Sequence, residues 1–212
     1  MAAARRHILR MSKIKSVCVF CGSSPGRDGR FIDDAKAFGE ILGKEKIGLV
    51  FGGGGVGLMG TVARAARDAG SEVTGIIPTF LVNRERPEAA HSTHTIVTKD
   101  MHERKHKMFE MADAFVALPG GIGTLEELIE QLTWIQLGQH KKPLLILNTK
   151  GFWNPLLALL ENFRDMGFMG QHAIDNLLVA DKVEDILPKL RNATAPVSLW
   201  ELREDQAVSE NM

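Results

Sequence analysis

The sequence predicts an α/β fold: a doubly wound parallel sheet with helices on both faces. Three observations predict it. Short apolar runs alternate with helically spaced segments from Lys15 to Asn192. The runs are continuous rather than alternating in and out, as in strands covered on both faces. Glycines gather where two of these runs end, and doubly wound sheets bind ligands beyond the carboxyl ends of their strands.

Lys15–Gly22 is the first strand-like run. Phe31–Glu45 follows with Phe31, Ala35, Phe38, Ile41 and Leu42 at helical spacing. Ile47–Phe51 is apolar and runs into Gly52–Gly55. Leu58–Ala69 reads as a helix, and Glu72–Ile77 as a strand closed by Pro78. Thr79–His94 shows no clear period and reads as a loop or broken helix, with a short strand at Thr95–Val97. Met101–Ala112 is helical, and Ala114–Leu118 is a strand ended by Pro119-Gly120-Gly121. A helix over Thr124–Leu137, a strand over Leu144–Leu147, a helix over Asn154–Met166, a strand over Leu177–Ala180 and a helix over Val183–Asn192 complete the alternation. Residues 15–192 are therefore expected to form one domain. Residues 1–14 read as a disordered extension and 193–212 as a polar, loose tail.

Composition narrows the function. The chain has 212 residues, with 26 Lys+Arg balanced by 26 Asp+Glu. That length buries roughly 70% of the unfolded surface, so no staple is needed. Zero net charge speaks against a general nucleic-acid binder but permits a local basic pocket. Tyr is absent, so no tyrosine serves as acid or nucleophile. No apolar run approaches the roughly 18 residues of a membrane span, and a cytoplasmic location is expected. The acid-free start carries Arg5, Arg6, Arg10, Lys13, Lys15 and Arg27. An Arg-rich transit peptide would look like this, but a short extension before Met11 accounts for it more simply.

Two glycine loops open two helices. The first runs from Gly52 through Gly53, Gly54, Gly55 and Gly57 to Gly60. Bare backbone N–H groups and a helix N-terminus attract anions, so Gly54, Gly55 and Gly57 are phosphate-binding candidates. Gly55, Gly57 and Gly60 match the dinucleotide pattern only formally: the next strand ends in Ile77-Pro78, without an acid for a ribose. The alternative for this loop is a tight strand-to-helix turn with close packing. The second loop, Pro119-Gly120-Gly121-Ile122-Gly123-Thr124, adds a hydroxyl to the same physics, making Gly120, Gly121, Gly123 and Thr124 further candidates. Glu126 and Glu127 follow in the first turns. Two acids beside a phosphate repel it unless one addresses another part of the ligand, such as a sugar carbon or a water. Their alternative role is to complement the helix dipole.

His102-Glu103-Arg104-Lys105-His106 matches the H-E-x-x-H zinc pattern. The two cations inside it oppose a bound metal, so no metal is expected, and Arg104 and Lys105 make better anion or base contacts. Cys18 and Cys21, three apart on a strand, point to opposite faces, which disfavours a disulfide or metal pair.

Together, Gly53–Gly60, Asp100-Met101-His102-Glu103-Arg104-Lys105 and Pro119-Gly120-Gly121-Ile122-Gly123-Thr124-Leu125-Glu126-Glu127 resemble the LOG (Lonely Guy) family. Phe20-Cys21-Gly22-Ser23-Ser24 and Thr133-Trp134 … Gln136-Leu137-Gly138 extend the resemblance, which spans roughly Ser16 to Leu190. The resemblance implies a Rossmann-like fold, a homodimer with its active sites near the interface, and no cofactor. It implies cleavage of the N-glycosidic bond of an N6-modified adenosine monophosphate, or AMP, to free base and ribose 5-phosphate. Arg104 and Glu127 correspond to the family's catalytic pair. Arg104, Lys105, Gly121, Ile122, Gly123, Thr124, Leu125, Glu126 and Glu127 correspond to nucleotide-binding positions, with Thr133 and Glu85 as further contacts.

That implication suits the residues. Ribosyl cleavage passes through an oxocarbenium-like state, which a carboxylate such as Glu127 can stabilise while phosphate contacts fix the sugar. Two other classes remain: a nucleotide or cofactor carrier without turnover, and a pyridoxal-dependent lysine decarboxylase, for which no lysine context is evident.

Overall fold

A computed structural model of the chain describes residues 14–85 and 92–202, with Glu85 as backbone only. Seven parallel strands form one sheet in the order β4-β3-β2-β1-β5-β6-β7. The strands are β1 (Ser16–Phe20), β2 (Gly48–Phe51), β3 (Val73–Pro78), β4 (His94–Thr98), β5 (Ala114–Ala117), β6 (Leu144–Leu147) and β7 (Leu177–Ala180). Eight α-helices are described: α1 (Gly29–Lys44), α2 (Gly57–Asp68), α3 (Val82–Glu85), α4 (Met101–Glu110), α5 (Ile122–Gln136), α6 (Asn154–Asp165), α7 (Gln171–Asp175) and α8 (Ile186–Arg191). The chain moves outward from β1 to β4, then crosses to β5 on the other side. Val17 accordingly pairs with Leu49 on one side and Ala114 on the other.

The side-chain period of two divides the core between the faces. Val17, Val19 and Cys21 join Phe38, Leu42, Val62 and Leu187 under α1, α2 and α8. Cys18 and Phe20 join Met108, Leu128, Leu132 and Leu156 under α4, α5 and α6. The two cysteines thus lie in opposite cores, both buried, and burial raises both thiols well above their usual range.

Local chemistry moves several boundaries from those expected. Asp28 caps α1, its side chain accepting the Arg30 N–H, so the helix begins at Gly29. In 79–94, a 3-10 turn over Thr79–Leu81 leads into α3, and β4 starts at His94. The short helix α7 has no counterpart in the sequence reading. The last helix is split into a 3-10 turn, Val183–Asp185, and α8.

Two ends of the domain also differ. Ile14 is buried in the α1–α2 core, so the fold begins before residue 15. Residues 193–202 of the expected loose tail are docked: Asn176 Nδ2 donates to the Val197 carbonyl and its Oδ1 accepts the Val197 N–H, at 2.9 and 3.1 Å. Ser198 is buried against Gly138, and Glu201 pairs with Lys141. Residues 1–13 and 203–212 lie outside the described residues. Among the described residues, no helix is long and apolar enough to cross a membrane.

Candidate active site

The crevice of a doubly wound sheet opens where the strand order reverses, here between β1 and β5. A cleft of about 240 Å³ lies there. Gly22, Ser23 and Ser24 line one side and Pro119, Gly120 and Gly121 the other, with Phe31, Leu58 and Phe152 completing it.

The N-terminus of α5 forms one wall. Gly121 is its N-cap, extended at φ −94° and ψ −155°, and brings no capping side chain. Among the described residues, no acceptor takes the N–H groups of Ile122, Gly123 or Thr124. A Cβ at Gly121 or Gly123 would meet nothing within 4 Å, so the side-chain position of each borders open space. Ile122 is 82% exposed at this open end of the helix. Thr124 is buried, with its hydroxyl so close under Gly120 that a Cβ there would lie 2.1 Å from Oγ1.

The first glycine loop is built differently. The Leu58 and Met59 N–H groups at the start of α2 both donate to the Gly22 carbonyl, at 3.0 and 3.2 Å. Gly57 holds φ 60°, and a Cβ on it would lie 2.3 Å from the Ser23 carbonyl carbon. Gly54 and Gly55 are buried, and the Gly55 carbonyl accepts from Arg64 Nη1 at 3.1 Å. At Gly57 the missing side chain serves close backbone packing, and α2 has committed two of its first amides to Gly22.

Arg104, on α4, crosses to α5. Its Nη1 donates to Glu127 Oε1 at 2.7 Å, its Nε to the Ile76 carbonyl at 3.1 Å and its Nη2 to the Gly52 carbonyl at 3.4 Å. The two residues are only 7% and 8% exposed, so the pair is largely removed from water. Burial pushes the Glu127 carboxyl up from its usual range, against the opposing pull of the Arg104 guanidinium. Glu127 follows Gly123 by four residues and Thr124 by three, and so shares their face of α5. It stands about 6 Å along the axis from Gly123, a separation suited to a phosphate at one end of a ribose and the anomeric carbon at the other.

Lys105 solves the problem posed by the second acid. Its Nζ lies 2.5 Å from Glu126 Oε1 and 2.8 Å from Glu130 Oε1. Burial lowers the ammonium, but these two partners outweigh it and raise Lys105 above its ordinary value. One turn of α4 thus supplies a separate cation to each of two neighbouring acids.

The H-E-x-x-H histidines do not converge. His102 and His106 are exposed, and His106 Nε2 lies 3.2 Å from Glu110 Oε1. Glu103 is a capping residue: it accepts the Lys99 N–H, while its own N–H donates to the Asp100 carboxylate. Among the described residues, no group of three or more His, Cys, Asp or Glu could hold a metal ion. Thr133 is exposed, its hydroxyl donating to the Ile129 carbonyl. It stands six residues beyond Glu127, about 9 Å along α5, on the stripe of Glu126 and Glu130. The Glu85 side chain lies outside the described residues.

Sequence reasoning missed Gly52 and Ile76 as partners of Arg104, since backbone carbonyls leave no mark in a residue pattern. It also missed the Phe31 and Phe152 rings, whose centroids are 5.7 Å apart at the cleft. Ser23 and Ser24 stood within the resembling stretch but carried no assigned role.

Fold and site together define a parallel α/β protein with an open helix N-terminus at its switch-point cleft and a buried Arg–Glu pair one turn along that helix. Comparisons with known proteins place it more closely. A family described as "possible lysine decarboxylase" matches residues 59–190. A cytokinin riboside 5'-monophosphate phosphoribohydrolase of Arabidopsis thaliana is 43% identical over 183 residues, covering 86% of this chain and 84% of that protein. The enzyme of the same name from Rhodococcoides fascians is 43% identical over 180 residues, covering 84% and 90%. Among solved structures, a molybdenum cofactor binding protein from Rippkaea orientalis shares 22% identity at a TM-score of 0.62, covering 84% of this chain and 96% of that one. That likeness shows a shared fold. The chain belongs to the LOG family.

The family description names a chemistry that neither Lys105 nor Lys142 fits. A Schiff-base lysine is activated by a lowered pKa, whereas that of Lys105 is raised between two carboxylates. Burial does lower Lys142, but it immediately precedes Pro143 and β6, at the amino ends of the strands, and donates to the Phe109 carbonyl.

Proposed function

We propose that the chain hydrolyses the N-glycosidic bond of adenosine 5'-monophosphates, plain or N6-substituted, to free base (adenine or cytokinin) and ribose 5-phosphate. The observation that carries this reading is the buried Arg104–Glu127 pair standing one turn above the open amides of α5. The 5'-phosphate binds at the N–H groups of Ile122, Gly123 and Thr124, where the helix dipole adds about half a positive charge. Gly120 and Gly121 let it approach, and Leu125 and Glu126 continue the binding segment. The sugar then runs along α5 toward Glu127.

In the reaction the bond from C1' to the base nitrogen breaks, its electrons leave with the base, and the base takes up a proton from solvent while the proton that Glu127 receives returns there. The Glu127 carboxylate stabilises the positive charge developing on the ribose and accepts a proton from the water that attacks C1'. Arg104 keeps the buried carboxylate ionised and aimed, and a carrier has no need of such a group. No cofactor or metal enters this scheme. The site works in the cytoplasm as part of a homodimer, in which Thr133, Glu85 and Lys105 complete the substrate contacts.

Purified protein incubated with AMP and with N6-isopentenyl-AMP, beside a Glu127→Gln control, tests this by chromatography of the free base. Release of base and ribose 5-phosphate, lost in the control, is the expected result. Binding of either nucleotide without cleavage would instead establish a carrier. Sedimentation tests the dimer.

A further inference from the structure

We propose that Gly52 is a positioning residue for this reaction: the missing side chain there admits the Arg104 guanidinium to the place from which it holds Glu127. The inference rests on the phosphoribohydrolase reading. It begins with what a Cβ at Gly52 would meet. Its nearest neighbours would be Arg104 Nη2 at 2.1 Å, Arg104 Cζ at 3.3 Å and Met59 Sδ at 3.3 Å.

Backbone conformation does not explain this glycine. Gly53, its neighbour, has φ 78°, where only glycine is at ease. Gly52 is absent from the positive-φ residues, so no left-handed backbone demands a glycine there. What excludes a side chain is the guanidinium, which Gly52 also binds through its carbonyl. The same residue therefore makes the space and supplies one of three acceptors that fix the guanidinium plane, the others being the Ile76 carbonyl and Glu127.

The clash falls on the far end of a flexible side chain, so the fold can survive it by moving Arg104. To restore ordinary contact, Nη2 must shift by more than about 1 Å, and a misplacement of that size can cost about 100-fold in rate. The phosphate site on α5 is untouched. The loss should appear in kcat, with KM little changed.

The test is a double-mutant cycle on AMP cleavage with wild type, Gly52→Ala, Arg104→Lys and the double variant. Gly52→Ala should lower kcat by about 100-fold in the wild-type background with KM within a few-fold. In the Arg104→Lys background it should change kcat little, because lysine has no Nη2 to displace. Equal losses in both backgrounds, or an unchanged kcat, overturn the proposal. Melting temperatures form a second cycle that needs no turnover, comparing Gly52→Ala with and without Arg104→Ala. Removing the arginine should relieve any destabilisation by the added methyl. Equal destabilisation in both would show that the methyl meets something else, and the proposal falls. If wild type cleaves no AMP, the catalytic reading fails alone, and the melting cycle still reports whether Gly52 makes room for Arg104.

Discussion

An aspartate at Gly121 should strengthen the fold and weaken the ligand. Gly121 is exposed, extended and free of neighbours within 4 Å of a Cβ, so the residue fits as an N-cap without strain. Its carboxylate would accept N–H groups of α5 that now lack partners and would face the positive end of the helix dipole. Capping, the dipole and the reduced freedom of the unfolded chain together contribute on the order of 1 kcal/mol. For a domain of this size that raises Tm by about 2–4 °C. The same carboxylate occupies the proposed phosphate site. Two unit charges about 4 Å apart repel by about 1 kcal/mol in bulk water and about 4 kcal/mol in a surface environment. AMP affinity should therefore drop at least about 5-fold. Calorimetry on the Glu127→Gln background, in which the proposed mechanism does not consume the ligand, measures binding, and thermal unfolding measures stability. Gly121→Ala controls for the methyl alone and should keep most of the affinity. Undiminished AMP binding with a raised Tm would move the phosphate away from α5; a lowered Tm would show that the α5 terminus is not open to a cap.

Other outcomes follow from the titrating groups and the docked tail. Burial raises the Glu127 carboxyl, and in the proposed reaction its ionised form does the work, so activity should fall with decreasing pH at a value above the ordinary ~4.3 of glutamate. Arg104→Ala should move that limb of the kcat/KM profile higher, and a limb at or below the ordinary value contradicts the assignment. The folded carboxyl also keeps its proton to higher pH than the unfolded one, so ionising Glu127 removes stability as pH rises through that interval. His140 behaves oppositely. Burial, aided by the charge of Lys142, lowers it from 6.5 to about 4. The unfolded chain therefore takes up a proton that the folded chain refuses, and stability present above 6.5 is lost as pH falls toward about 4. Melting temperatures of His140→Phe across this range should depend less on pH than those of wild type. Asn176→Ala removes both bonds to Val197, worth about 1–3 kcal/mol in all, and should lower Tm while leaving turnover intact.

Strands with both faces buried announce themselves, because water-free positions demand apolar residues without interruption. β5 and β6 are buried throughout and their positions were legible. β4, on the sheet edge and mostly exposed, carried a weaker signal. The docking of 193–202 was hidden because its hold is polar: an asparagine side chain binding a distant backbone looks like any loop residue. The site divides in the same way. Arg104, Glu127 and both glycine loops were visible in the residue pattern. The difference between the loops was not, since it depends on where the Gly22 carbonyl points. Nor could the sequence tell that Arg104 answers Glu127 while Lys105 answers Glu126, because the register between α4 and α5 decides it.

Gly22 couples the two loops through a single residue. Its N–H donates to the Pro119 carbonyl at 3.1 Å, and its carbonyl receives both Leu58 and Met59. The two halves of the fold, which the chain winds in opposite directions, are riveted together at the mouth of the cleft. Neither glycine loop is a free module. A transplant of the Pro119–Thr124 loop into another scaffold would have to bring the β1 end with it, and an insertion after Phe20 would disturb both walls at once. The rivet also gives the cleft its dimensions before any ligand arrives, so free and nucleotide-bound forms should superpose closely around Gly22.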